Sequence, residues 1–252
     1  MRRSLVAGLL VAAVLALALW RWKSFSERNA HAERVAAIKS VVAAGDVGWV
    51  EAFQASQRMP LTEHDARWQP LFGRLLVEPD VGAIGDPEGG WERDGGDDYS
   101  FRFPDAPLSD AEIFLDGWWD GRGSIGAQIA VQREAPHRLY EATLWRGKLA
   151  LIYFEGPTPD RFEVLAESPE PVVPRGYYRL AFCVMRENAK WSLRATLLDP
   201  SNNHAVLARA SASDGRLGPG GYGIGVLGGG GPRSSHVTGI AVRGVSHSRP
   251  CT

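Results

Sequence analysis

Two carboxylates on one strand are the first arrangement in this chain that could do chemistry. Glu112 and Asp116 stand four residues apart in an alternating stretch, so both side chains fall on one side of a strand. Paired carboxylates are the machinery of glycoside hydrolysis, one acting as acid and the other as nucleophile or base. A retaining mechanism needs them about 5 to 5.5 Å apart. Four strand residues set the two backbones roughly 13 Å apart, so a bulge or leaning side chains would have to close the gap.

Other strings point to cofactors or metals and then lose their context. Gly223-Ile224-Gly225-Val226-Leu227-Gly228 matches a dinucleotide fingerprint, but Gly229-Gly230-Gly231-Pro232 follows where a helix should present its N-terminus to a pyrophosphate. A glycine-rich strand and loop is the expectation there. The six histidines, His31, His64, His137, His204, His236 and His247, show no paired metal spacing. Asp94, Asp97 and Asp98 form an acidic loop that suits either calcium or a solvated turn. No cofactor and no metal site is therefore expected.

Alternation sorts the remaining candidates by face. In 139–146, Tyr140, Ala142 and Leu144 oppose Glu141, Thr143 and Trp145; in 177–186, Tyr178, Leu180, Phe182 and Val184 oppose Arg179, Ala181 and Cys183. After Trp191, Ser192, Arg194 and Thr196 oppose Leu193, Ala195 and Leu197. One sheet would then present Glu112, Asp116, Gln128, Glu141, Trp145, Arg179 and Arg194 on a polar, partly aromatic face. The ligand-binding candidates are Gln128, Glu141, Trp145, Arg179 and Arg194; the plainer reading of the same face is a solvated outer sheet surface. On that reading, replacing Glu141 is nearly silent for folding, whereas Leu180 and Phe182 belong to the core.

The elements that must position these residues follow from pattern. Of 252 residues, 44% are hydrophobic, ample for a buried core. Twenty-eight basic residues against 29 acidic ones leave a net charge of -1, which excludes the basic field of a nucleic-acid partner. With 29 glycines and 9 tryptophans, the composition suits tight turns between aromatic-bearing strands. Two cysteines, Cys183 and Cys251, are too few for a disulfide framework or a zinc site and leave a single bridge open.

Leu5 to Trp20 is an uninterrupted apolar run between Arg2-Arg3 and Arg21-Trp22-Lys23. It is expected to be a transmembrane signal-anchor spanning 1–23, with Trp20, Arg21, Trp22 and Lys23 at the membrane interface. A cleaved signal peptide is the rival, since Ala16-Leu17-Ala18 has the small-x-small form. Residues 24–80 are expected to form a helical linker. A helix over 24–44 would carry Val35, Ile38 and Val42 and stop at Gly45; a second, capped by Asp46, would carry Trp49, Val50 and Phe53; a short turn would follow Thr62. Those apolar stripes would pack on the following domain or on another membrane subunit. From Tyr99 the period becomes two, and some eleven short strands without alternating helices predict a two-sheet antiparallel sandwich over 81–247, with 248–252 as a tail.

The stretches AEIFLDGWWDGRGSIGAQIAV, LYEATLWRGKLALIYFE, GYYRLAFCVMRENAKWSLRATLLDP and GYGIGVLGGGGPRSSHVTGIAVRGV resemble the concanavalin A-like, laminin-G-like jelly roll over roughly residues 99–245. The resemblance implies a jelly-roll sandwich, whose concave face often binds sugars by stacking on an aromatic ring. It also implies a test of Glu112 and Asp116: glycosidases of this group carry Glu-x-Asp-x-x-Glu, and here Phe114 stands where the middle carboxylate belongs. The overall expectation is an all-β, non-enzymatic, membrane-tethered interaction module, an accessory or structural subunit of a larger membrane complex with its sandwich periplasmic or extracytoplasmic. The alternative is an envelope carbohydrate-binding module or a glycoside-active enzyme of the same fold. Expected partners are membrane lipid, integral membrane subunits and, on the alternative, carbohydrate; nucleic acid is excluded.

Overall fold

The computed structural model describes residues 2–42, 48–87, 97–103, 110–156, 158, 161–172, 175–188, 190–227, 234–246 and 251, with side chains described from residue 12 onward except at 24 and 97. A long helix, α1 (Arg2–Lys39), leads into β1 (Gly48–Ala52), β2 (Met59–Pro60), the one-turn α2 (Leu61–His64), β3 (Gln69–Phe72), β4 (Leu75–Glu78), β5 (Gly82–Gly85) and β6 (Asp97–Arg102). There follow β7 (Ala111–Trp119), β8 (Ser124–Val131), β9 (Leu139–Trp145), β10 (Lys148–Phe154), β11 (Phe162–Glu167), β12 (Gly176–Glu187), β13 (Lys190–Asp199), β14 (Ala205–Asp214), β15 (Gly221–Leu227) and β16 (His236–Gly244).

These strands form two antiparallel sheets. One runs β14-β13-β12-β7-β16-β5-β4-β2, with β1 also paired to β16; the other runs β11-β10-β9-β8-β15-β6-β3. The order mixes strands distant in sequence, as a sandwich requires and a hairpin meander does not. Alternation builds the core. Leu180, Phe182 and Val184 of β12 meet Tyr140, Ala142 and Leu144 of β9 and Leu149, Leu151 and Tyr153 of β10 in one buried cluster. Each such side chain removed from water contributes about 1.5–3 kcal/mol. The β9–β10 turn is set by Arg146 and Gly147, both at positive φ (49° and 75°), which is the two-residue geometry that matches strand twist.

The all-β two-sheet sandwich is as expected, but the segment before it differs. The helix expected over 24–44 is the second half of α1, which is one continuous 38-residue helix. Gly45 and Asp46, the expected stop and cap, lie outside the described residues. The helix expected to carry Trp49, Val50 and Phe53 is instead β1 and the residue after it. β1 pairs along β16 from Gly48↔Arg243 to Ala52↔Gly239. Tertiary pairing overrides the short helical pattern, because an open edge of β16 gives these backbone groups partners that an isolated two-turn helix would lack. Residues 24–80 therefore carry four strands, not only helix.

The second half of α1 lies on the outer face of the nine-stranded sheet. Val35 and Ile38 are buried there, and Ile38 clusters with Phe114, Ala181 and Ala241, with Val41, Val42 and Val50 beside them. Gly239 permits the approach: a Cβ at that position would sit 2.9 Å from Ile38 Cγ2 and 3.0 Å from the Glu51 carbonyl oxygen. The apolar stripe is thus covered by the chain's own sheet. Cys183, on this same face, is disulfide-bonded to Cys251 with the two Cα atoms 5.9 Å apart.

The first half of α1 contrasts with the second. Val14, Leu15, Leu17, Leu19, Trp20, Trp22 and Phe25 are all exposed, Trp22 the most at 74%. Among the described residues no helix is long and apolar enough to cross a membrane.

Candidate ligand-binding site

The outer face of the seven-stranded sheet brings together three of the expected residues. Glu141 and Trp145 alternate outward on β9 while their neighbours enter the core, and Gln128 of β8 lies directly opposite Glu141 in the ladder. Glycines clear the floor around them. A Cβ at Gly126 would come within 1.7 Å of Glu141 Oε1, one at Gly223 within 2.3 Å of Gln128 Oε1, and one at Gly225 within 2.3 Å of Tyr99 Cε1. The Gly-x-Gly string of β15 is therefore a packing device, opposite Gln128 and Gly126 on one side and Phe101 and Tyr99 on the other.

Aromatic rings border this floor in a continuous arc. Ring centroids are separated by 5.6 Å for Phe72–Tyr99, 5.8 Å for Tyr99–Phe154, 5.9 Å for Phe154–Phe162 and 5.4 Å for Phe162–Trp145. The Arg146 guanidinium lies over the Trp145 ring at 4.2 Å. Tyr99, Trp145, Phe154 and Phe162 wall a pocket of about 50 Å³ whose polar lining is Ser124, Glu141 and Thr143. The Thr143 hydroxyl donates to the Ile125 carbonyl at 3.1 Å, which fixes its rotamer. Beside the pocket, Gln128 is fully buried, and neither atom of its amide has a hydrogen-bond partner. Leaving a buried amide unsatisfied costs about 1–3 kcal/mol.

Arg179 and Arg194 are on the other sheet, so the single seven-residue face expected from alternation does not exist. Arg179 is buried and donates two hydrogen bonds to Asp116, at 2.7 and 2.6 Å. Glu112 is likewise buried and accepts from Arg243 at 3.0 and 2.6 Å. Both carboxylates lie on the face that α1 covers, each engaged by a guanidinium, and neither shares the pocket with Glu141. Arg194 stands near Glu187 at 3.7 Å, with both side chains more than half exposed. Strand parity reports which residues of one strand share a side; it does not report which sheet the strand joins.

The membrane-interface candidates Trp20, Arg21, Trp22 and Lys23 sit on the exposed part of α1, with Lys23 3.8 Å from Glu27. Of the acidic loop, Asp94 is outside the described residues. Asp98 is buried and accepts the backbone N–H groups of Arg74 and Asp86 at 2.8 and 2.9 Å. Among the described residues no group of three or more His, Cys, Asp or Glu side chains is placed to hold a metal ion. Tyr99, Phe154 and Phe162 were not legible as site residues; Phe154↔Phe162 pair across consecutive strands, but the register Gly225↔Tyr99 that brings Tyr99 into the floor is a long-range feature.

No family model and no curated protein sequence matches the chain. Solved structures do show similarity. The carbohydrate binding module CBM66 from Bacillus subtilis is 17% identical over 71% of this chain and 92% of its own, with a TM-score of 0.45. The Crh5 transglycosylase in complex with NAG is 12% identical over 79% and 84%, with a TM-score of 0.47. Bacillus licheniformis beta-glucanase is 9% identical over 80% and 99%, with a TM-score of 0.39. What the structure itself shows is the two-sheet antiparallel sandwich described above.

Proposed function

We propose that the outer face of the seven-stranded sheet binds carbohydrate. The observation that carries this reading is the pocket in which Ser124, Glu141 and Thr143 are ringed by Tyr99, Trp145, Phe154 and Phe162. A sugar ring offers apolar C–H faces and a rim of hydroxyl groups, and it needs aromatic planes for the first and fixed acceptors and donors for the second. Glu141 supplies acceptors, and the Ser124 and Thr143 hydroxyls line the same pocket. Glu141 is the one carboxylate among the described lining residues, whereas glycoside hydrolysis works with two, so the reading is capture and not turnover.

The test is a glycan array probed with the full chain in neutral detergent. Trp145→Ala and Phe162→Ala should each weaken retention about fivefold, the equivalent of roughly 1 kcal/mol per aromatic contact. Retention of no glycan, or retention indifferent to both substitutions, would sink the proposal. Release of reducing ends from a retained glycan would promote the glycoside-active reading instead.

A second reading concerns α1. Its exposed row from Val14 to Phe25 favours attachment to lipid, because so much apolar surface on one element calls for cover. Flotation of the full chain with phosphatidylcholine vesicles supports it, and a chain left at the bottom of the gradient refutes it. The expected integral-membrane partner loses its motive, since Val35 and Ile38 already lie against this chain's own sheet.

A further inference from the structure

We propose that the groove between α1 and the nine-stranded sheet receives the anionic headgroup of a membrane phospholipid. The inference rests on the second reading above, that the apolar length of α1 meets lipid, and adds a headgroup site to it. The groove holds about 720 Å³ and lies on the opposite side of the sandwich from the carbohydrate pocket. Lys23, Glu27, Ala30 and Arg34 line it from α1, at a spacing that puts all four on one helical face. Trp118, Arg122, Arg175 and Tyr177 line it from the sheet side.

Charge accounting gives the sign of the ligand. The three carboxylates at the groove are each engaged. Glu27 lies 3.8 Å from Lys23, and Asp80 lies 3.1 Å from Arg28. Asp120 accepts the backbone N–H groups of Arg122 and Gly123 and the Ser235 hydroxyl. Among the described residues Arg34, Arg122 and Arg175 form no close ion pair, the Arg122 charge acting on Asp120 only through space, so three guanidinium groups line one groove. Two buried histidines lie beside the groove: burial lowers the pKa of both His31 and His236, the Asp80 charge opposes this at His31, and the nearby Arg34 charge lowers each. His31 moreover has neither ring nitrogen hydrogen-bonded.

The apolar chemistry gives the class. Trp118 and Tyr177 stack edge to face at 5.1 Å, and Arg34 lies 3.2 Å over the Tyr177 ring, an amphipathic rim of the kind that suits a headgroup boundary. The exposed apolar row of α1 ends at Phe25, overlapping the turn where Lys23 opens the groove. A ligand with an anionic head and an apolar tail satisfies both features at once. A sulfated or phosphorylated glycan would satisfy only the first.

The experiment titrates the full chain, in neutral detergent, with short-chain phosphatidylglycerol and short-chain phosphatidylcholine in turn, reading tryptophan fluorescence. Phosphatidylglycerol should bind more tightly by about fivefold for each arginine engaged, and the preference should shrink as salt is raised. Arg122→Gln with Arg175→Gln, both at exposed positions, should remove most of the preference while leaving the urea midpoint in place. Adding Arg34→Gln should remove the rest. Equal affinity of the native chain for the two lipids would overturn the headgroup site. Inorganic phosphate binding as tightly as phosphatidylglycerol, or a sulfated glycan binding more tightly, would also overturn it. Flotation with phosphatidylcholine vesicles judges the attachment of α1 separately, so the two failures are distinguishable.

Discussion

At Gly126 a single added carbon decides whether Glu141 can stay where it is. The Cβ of an alanine there would lie 1.7 Å from Glu141 Oε1, so the carboxylate must leave its position. Gly126→Ala should cost about 1–3 kcal/mol of stability and abolish glycan retention. Gly218→Ala, where nothing lies within 4 Å, should stay within about 0.5 kcal/mol of the native chain. Urea midpoints for the two variants check this, and equal midpoints would contradict the crowding argument. Glu141 itself is only 1% exposed, so the near-silent substitution expected from its outward parity gives way to a predicted loss of about 1–3 kcal/mol in Glu141→Ala. The grouping of Gln128, Glu141 and Trp145 was legible because alternation along neighbouring hairpin strands carries parity across a turn. Arg179 escaped that logic, because β12 joins β7 in the other sheet, a pairing 63 residues distant at Arg179–Asp116.

Helix α1 docks through few side chains, which makes its attachment measurable. Ile38 is fully buried against Phe114, Ala181 and Ala241, and Ile38→Ala should cost about 2–5 kcal/mol. The same contact zone carries a pH dependence. Burial holds the His236 imidazole at about 4 in the folded chain, against an ordinary value of 6.5. Below 6.5 the unfolded chain takes up a proton that the folded chain refuses, so the stabilisation is complete above 6.5 and is lost as pH falls to about 4. The loss from this group should approach about 3 kcal/mol. His236→Gln, which keeps a partner for the Tyr177 hydroxyl, should flatten that part of the curve in urea titrations between those pH values. A variant with an unchanged pH profile would mean that His236 titrates normally. The helical stripe of Val35 and Ile38 was readable at its 3.6 period, while β1 was not, since its strand conformation depends on β16, almost two hundred residues later in the chain.

The whole molecule is closed by one covalent tie, between Cys183 in the middle of β12 and Cys251. Opening it by Cys251→Ser, or with reductant, should lower stability by about 2–4 kcal/mol, because the unfolded chain recovers a loop of 68 residues. Urea midpoints with and without reductant check this; identical midpoints would mean that the tie contributes nothing. The sandwich as a whole was legible from strand rhythm and glycine punctuation, but its nine-to-seven division was not, since composition does not say where a strand will find an edge. That division also gives the molecule a back and a front. Helix α1 and Cys251 both occupy the outer face of the nine-stranded sheet, and the Glu141 pocket opens on the outer face of the seven-stranded one. Two sheets stacked about 10 Å apart stand between them. On the proposed carbohydrate reading, whatever surface holds α1 would lie behind the pocket, and the Trp145 and Phe162 face would be turned away from the mount.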